Sequence, residues 1–147
     1  MTMNDYPILI IDDNEGDRYI LKRLLKGTGL TSSINEMNNG QSAIDYLSKL
    51  NSGESATDDF PPTIIFLDIN MPLLDGFQFL NHYHELKLDE SFSSTIIMMF
   101  SSSGREEDKR KAFLHDCVKG YIVKMPESSD ELKLTISNSL AGTNRKA

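Results

Sequence analysis

Four apolar runs in this 147-residue chain each end in a side chain able to handle charge. Ile8-Leu9-Ile10-Ile11 leads straight into Asp12-Asp13, Thr63 to Leu67 into Asp68, Thr95 to Phe100 into Ser101, and Tyr121-Ile122-Val123 into Lys124. If these ends converge, three carboxylates repel one another and raise a pKa, a conflict that a bound cation resolves. Mg²⁺ suits such a site because it prefers oxygen ligands, commonly one or two carboxylates with waters and a phosphate oxygen. No Cys or His accompanies the acids, so zinc does not fit. Lys124 would add an ammonium and Ser101 a hydroxyl donor, so that phosphoryl oxygens are held by metal on one side and by protein on the other, with Asp68 left as nucleophile. In-line attack by a carboxylate needs mainly positioning and charge neutralisation, and no general base.

Convergence depends on the elements that carry these ends. Ile8 to Ile11 is a short β-branched and aliphatic run, the pattern of a strand buried on both faces. Residues Glu15 to Lys26 follow with apolar positions at Tyr19, Ile20, Leu24 and Leu25, a helical stripe, with Gly27 and Gly29 as stop signals. The alternation recurs, predicting strands at Ser32 to Met37, Thr63 to Leu67, Thr95 to Phe100 and Tyr121 to Val123. Helices are expected over Gln41 to Leu50, Gly76 to Leu86, Arg105 to Cys117 and Asp130 to Leu140. Five consecutive βα units predict an α/β fold, a doubly wound five-stranded parallel sheet with helices on both faces. In strand order 2-1-3-4-5 the first and third strands are neighbours, which brings Asp12, Asp13 and Asp68 to one edge.

Composition narrows the function classes. A formal charge of -7 disfavours direct nucleic-acid binding, and no apolar run approaches the roughly 18 residues of a membrane span. The polar start, Met1 to Pro7, and the single Cys117 predict a soluble protein in a reducing cytoplasm. Asn51 to Pro62 reads as a long surface loop and residues 141–147 as a polar tail that frays. With about twenty residues after Lys124, the expectation is a single domain over 1–147, with its core at about 7–140 and its output routed through a partner.

The strings Ile11-Asp12-Asp13-Asn14, Leu67-Asp68-Ile69-Asn70-Met71-Pro72 with Asp75-Gly76, Ser101, and Tyr121-Ile122-Val123-Lys124 resemble the receiver domains of bacterial response regulators over about residues 7 to 140. The resemblance implies that Asp68 is the phospho-acceptor, that Asp12 and Asp13 are the acidic metal pair, and that the Asn70 main-chain carbonyl is a further ligand of Mg²⁺, or of Mn²⁺ in its place. It implies that Ser101 and Lys124 sense the phosphoryl group, that Tyr121 is buried on switching, and that Asn70 and Ser103 tune dephosphorylation. The output surface then includes Arg105 to Val123. Ser102 is small, as in the family, which leaves the site open to water or a partner. A histidine kinase or phosphotransfer protein is the implied donor and a protein the implied target, with a homodimer left open. The long loop before the third strand is similar to stand-alone regulators that partner phytochrome-type kinases. One departure concerns the loop after the lysine, where the family has Pro directly and this chain reads Lys124-Met125-Pro126; the family's cis bond would move to Met125-Pro126, or the loop is all trans.

Plainer readings stand beside these. Asp12-Asp13 can be a turn or helix cap, Tyr121 an aromatic closing the sheet edge, and Arg105 to Lys111 a solvated helix face. His82 and His84, two apart on a helix, do not share a face, and His115 has no assigned role. Met98-Met99-Phe100, Phe77, Phe79 and Leu80 are expected to pack the core or its margins, with Cys117 an ordinary thiol. A phosphohydrolase using an aspartyl-phosphate would carry a second Asp where Asn70 stands. A phosphorylation-independent adaptor of the same fold would lack the acceptor or the metal acids, and both are present.

Overall fold

The computed structural model describes residues 5–31, 33–53, 61–124 and 128–144. The strands are β1 (Ile8–Ile11), β2 (Ile34–Met37), β3 (Ile64–Leu67), β4 (Ile96–Ser101) and β5 (Val118–Val123). Among them run α1 (Glu15–Thr28), α2 (Gly40–Ser52), α3 (Gly76–Glu85), α4 (Leu88–Ser91), α5 (Glu106–Phe113) and α6 (Ser129–Asn144). All five strands are parallel in the order β2-β1-β3-β4-β5, as expected.

Alternate side chains of each strand face opposite sides of the sheet, and this divides the core in two. Ile8, Ile10, Ile64, Phe66, Ile96, Met98 and Phe100 pack with Leu21 and Leu25 of α1 and Leu132 and Ile136 of α6. Leu9, Ile11, Ile65, Leu67, Ile97 and Met99 pack with Ala43, Ile44 and Leu47 of α2, Phe79, Leu80 and Tyr83 of α3, and Ala112 of α5. Because β1 and β3 are buried on both sides, a one-residue slip would exchange the two apolar sets between helix layers. The register Ile11↔Leu67 is thereby held, and it sets Asp12 beside Asp68.

Several boundaries differ from the sequence reading. α1 buries Leu21, Leu25 and Thr28, while Tyr19 and Ile20 are exposed, so the inward stripe is rotated from the expected one. Its glycine stop is Gly29 alone, and Gly27 lies within the helix. α5 ends at Phe113, well before Cys117, and β5 begins at Val118, where Lys119 and Gly120 disguise the strand. Gly120 opposes Met98, and a Cβ there would lie 2.7 Å from the Met98 methyl carbon, so the glycine makes room for a core side chain. The short helix α4 was not anticipated; it buries Leu88 and is followed by buried Phe92. α6 continues through residue 144, into the stretch expected to fray. Ser32, most of the expected loop at 51–62, residues 145–147 and the peptide geometry at Met125-Pro126 lie outside the described residues.

Two glycines and two histidines give tests of this architecture. At Gly76 a Cβ would lie 2.5 Å from the Asp68 main-chain oxygen and 2.8 Å from Ile69 Cα, backbone atoms with little room to yield. Gly76→Ala should therefore cost about 1–3 kcal/mol in chemical denaturation. Gly104→Ala, whose Cβ meets only Val123 Cγ2 at 3.7 Å, should stay within about 0.5 kcal/mol. At the junction of α3 and α4, His84 Nδ1 lies 2.7 Å from Asp89 Oδ2, and this bond raises the imidazole above its ordinary 6.5. Burial lowers His115 below the same value. An NMR titration should show His84 titrating above 6.5 and His115 below it, with Asp89→Asn lowering His84. Since the folded-state pKa of His84 is raised, its contribution is complete at acid pH and fades as pH rises through that value.

Candidate functional site

The carboxyl ends of β1 and β3 carry the acids. The Asp12 N–H donates to Met37 O at 3.1 Å and the Asp68 N–H to Ile11 O at 3.0 Å, so both residues prolong sheet pairing and their backbones are fixed. Asp12 is 2% and Asp68 5% exposed, while Asp13 is open to solvent. Asp12 Oδ1 accepts from Asn14 N–H at 2.9 Å, and Asp68 Oδ1 accepts from Ile69 N–H at 2.9 Å. Oxygens of Asp12, Asp13 and Asp68 lie within 4.8 Å of one another.

Beyond Asp68 the chain turns tightly. Leu74 N–H donates to Pro72 O at 2.7 Å, Gly76 N–H to Ile69 O at 2.8 Å, and Leu73 between them adopts φ 71 and is almost fully exposed. Asp75 and Gln78 form a reciprocal capping box that starts α3. The Asp68 loop is thus anchored at both ends, and Asn70 stands exposed on it.

Lys124 reaches the acids from the end of β5, where its N–H donates to Ser101 O at 2.7 Å. Its Nζ lies 2.7 Å from Asp12 Oδ2, 2.9 Å from Asp17 Oδ2 and 3.6 Å from Asp68 Oδ1. Burial works against its charge, but Asp12, Asp17 and Asp68 outweigh that and raise its pKa. The approach to Asp12 Oδ2 is close yet outside hydrogen-bond geometry, so this buried oxygen has a charged neighbour and no hydrogen-bond donor. Asp68 is pushed up to about 6, first by burial and then by Asp12, with Lys124 and the Ile69 N–H pulling the other way and Asp13 adding to the rise.

The structure brings Asp12, Asp13, Asp68 and Lys124 together as expected. Ser101 is fully buried at the end of β4, where its Oγ accepts from Ser103 N–H at 3.1 Å. Half-buried Tyr121 donates its hydroxyl to Ser103 O at 2.7 Å, and Ser103 Oγ donates to Asp108 at 2.5 Å. Three participants had escaped the sequence reading: Asp17 on Lys124, Arg18 donating to Asp12 O at 2.7 Å, and Asp108 on Ser103. Asp17 and Arg18 lie just past the acid pair, in the first turn of the helix it introduces, which is the one signal that could have found them.

The donor chemistry and the surplus of negative charge fit a hard divalent cation. Three clustered carboxylates face one ammonium, and every offered atom is oxygen. Asp12, Asp13 and Asp68 are the residues that could hold the ion. Mg²⁺ at about a hundredfold excess over its Kd should raise the Tm by roughly 5–10 °C. Calorimetry should show that rise shrinking in Asp13→Asn, where an exposed ligand is lost without disturbing the core.

The comparisons with known proteins agree with this geometry. Residues 8–137 match the family model described as the response regulator receiver domain. The nitrate/nitrite response regulator protein NarL of Escherichia coli K12 is 33% identical over 86% of this chain, which spans about half of NarL's length (51%). A two-component response regulator from Cytophaga hutchinsonii superposes with a TM-score of 0.78 at 25% identity, covering 93% of this chain and 98% of that one. A bacteriophytochrome response regulator, RtBRR, gives a TM-score of 0.71 at 25% identity, covering 92% of this chain and 78% of that one. With its acids at the ends of β1 and β3, its lysine at the end of β5 and its strand order shared with that family's fold, the chain belongs to the response regulator receiver domain family of two-component signalling.

Proposed function

We propose that this chain is a single-domain switch that accepts a phosphoryl group on Asp68 in a Mg²⁺-dependent reaction. The observation that carries the reading is the placing of Asp68 Oδ1 within 3.6 Å of Lys124 and its carboxylate within the cluster of Asp12 and Asp13. A bound Mg²⁺ would neutralise charge on the phosphoryl oxygens and on the acids. The chain's own groups do the rest. An Asp68 oxygen attacks phosphorus in line, an O–P bond forms, and the bond from phosphorus to the donor's imidazole nitrogen breaks, with the electron pair leaving on that nitrogen. Lys124 then pairs with a phosphoryl oxygen, while Asp12, Asp13, Asp68 and the main-chain carbonyl of Asn70 would hold the ion.

The donor in this reading is a histidine kinase or a phosphotransfer protein, and the recipient of the signal is a protein, with nucleic acid not contacted directly. Among the described residues no helix is long and apolar enough to cross a membrane, which is compatible with a cytoplasmic role. Likeness to a bacteriophytochrome response regulator supports a kinase of the phytochrome-associated kind as donor.

Signal would leave through Ser103, whose peptide links two groups of the switch. Its N–H donates to Ser101 and its carbonyl accepts from Tyr121. A phosphoryl group carries about two negative charges at neutral pH and accepts hydrogen bonds strongly. Drawing the Ser101 hydroxyl toward it would loosen the Ser103 peptide, release the Tyr121 hydroxyl, and reshape the surface from Arg105 to Val123. Asn70 is exposed two residues from the acceptor and Ser103 half-buried two residues from the sensor, which supports a role for both in setting how readily water removes the group.

Acetyl phosphate with Mg²⁺ should add the mass of one phosphoryl group to the intact protein. Asp68→Asn should abolish the addition, and Lys124→Ala should slow it by at least tenfold. Labelling that survives Asp68→Asn would place the acceptor elsewhere, and no labelling of either protein would favour an adaptor that works without phosphorylation.

A further inference from the structure

Lys124 is held by a carboxylate that has no part in the reading above. Of its three acidic neighbours, Asp17 receives the contact that meets hydrogen-bond geometry, at 2.9 Å. Asp12 pairs with it more closely still, at 2.7 Å, and Asp68, at 3.6 Å, is the farthest. The ammonium therefore rests on Asp12 and Asp17, nearer to both than to the acceptor.

Asp17 is a firmly placed acid. Asn14 caps α1 by accepting from the Asp17 N–H at 2.8 Å, which fixes the first turn. The next residue, Arg18, donates to Asp12 O at 2.7 Å and to Glu36 of β2 at 2.9 Å. Glu36 also takes Lys22 at 2.6 Å, so α1 is joined to the acid loop and to the sheet edge along one side. The side chain of Asp17 is about one-third exposed (36%), so its bond to Lys124 can open without burying an unpaired charge.

A lysine ammonium offers three donors on a flexible stem. With a phosphoryl group on Asp68, about two further negative charges arrive on the far side of that ammonium. To pair with them, Nζ must move toward Asp68 and weaken its bond to Asp17. The bond therefore stabilises the unmodified chain more than the phosphorylated one. Resting on the reading of Asp68 as acceptor, we propose that Asp17 is a positioning residue that tethers Lys124 to α1 and opposes capture of the phosphoryl group.

Beryllofluoride with saturating Mg²⁺, titrated into the full chain and followed by amide shifts, tests the tether. Asp17→Asn should bind this phosphoryl mimic about twofold to fivefold more tightly than the native protein, the range expected of a partly exposed ion pair. In the free protein the same variant should shift the Lys124 side-chain methylene resonances next to Nζ. Glu15→Gln removes an equal charge from the same helical turn and should leave the affinity unchanged. Unchanged or weaker binding by Asp17→Asn, or Lys124 resonances that do not move, would overturn the tether. An equal gain from Glu15→Gln would overturn it as well, by assigning the effect to general repulsion of the anion. A native protein that takes up no beryllofluoride would instead sink the acceptor reading on which the tether rests.

Discussion

Like charge gathered at one end of the sheet is the constraint to which the rest of the molecule answers. Asp12 and Asp68 are almost wholly buried, and Asp13 completes a cluster within 4.8 Å. Taking such groups out of water costs several kcal/mol per ion unless charge and hydrogen bonds compensate. The compensation here is incomplete by design of the chain: one N–H from Asn14, one from Ile69, and a single ammonium shared among Asp12, Asp17 and Asp68. Asp68 is accordingly pushed up to about 6, first by burial and then by Asp12. A cluster in that condition is one that could hold a small hard cation.

Only a parallel sheet gathers the four groups at one edge. Each strand delivers its last side chain to the same side, so the spacing of Asp12, Asp68, Ser101 and Lys124 follows from strand order and register. Register in turn rests on apolar strands that cannot slip without exchanging their two core sets. Packing energy, spread over both faces, is what holds acids together that electrostatics would separate. The close passage of Gly76 against the Asp68 carbonyl shows how little slack remains behind the acceptor.

Much of this was legible in the sequence because the strands are short, apolar and followed at once by polar residues. β1 and β3 read cleanly, and with them the acid cluster, because burial on both faces leaves no polar interruption. β5 read poorly because it carries Lys119 and Gly120 at a sheet edge, where only Val118 and Ile122 are buried. α4 is four residues long, too short for any helical period to declare itself, and it is recognised through the burial of Leu88. The inward face of α1 was misjudged because Tyr19, Ile20, Leu21, Leu24 and Leu25 permit more than one stripe, and only contact with α6 and the sheet selects Leu21 and Leu25. Asp17 and Asp108 were invisible for a different reason. Asp17 acts across the fold, on a lysine 107 residues away, and Asp108 on a serine of the loop before its own helix, and acids in the first turn of a helix are usual without any such partner.

The hydrogen bonds around Ser103 explain how a modest event could propagate under the proposed reading. Its N–H, carbonyl and hydroxyl are each engaged, with Ser101, Tyr121 and Asp108 respectively. Hydrogen bonds of this kind contribute about 1 kcal/mol net, and those to a carboxylate somewhat more. Under that reading, giving up the bonds to Ser101 and Tyr121 would cost an amount that a hydrogen bond from Ser101 to a doubly charged acceptor can offset. A single residue thus stands between the buried serine and the aromatic of β5, and Asp108 extends the connection into the first turn of α5. Under the proposed reading no large rearrangement would be needed, because the elements on either side of that residue are packed and only the loop between them would change.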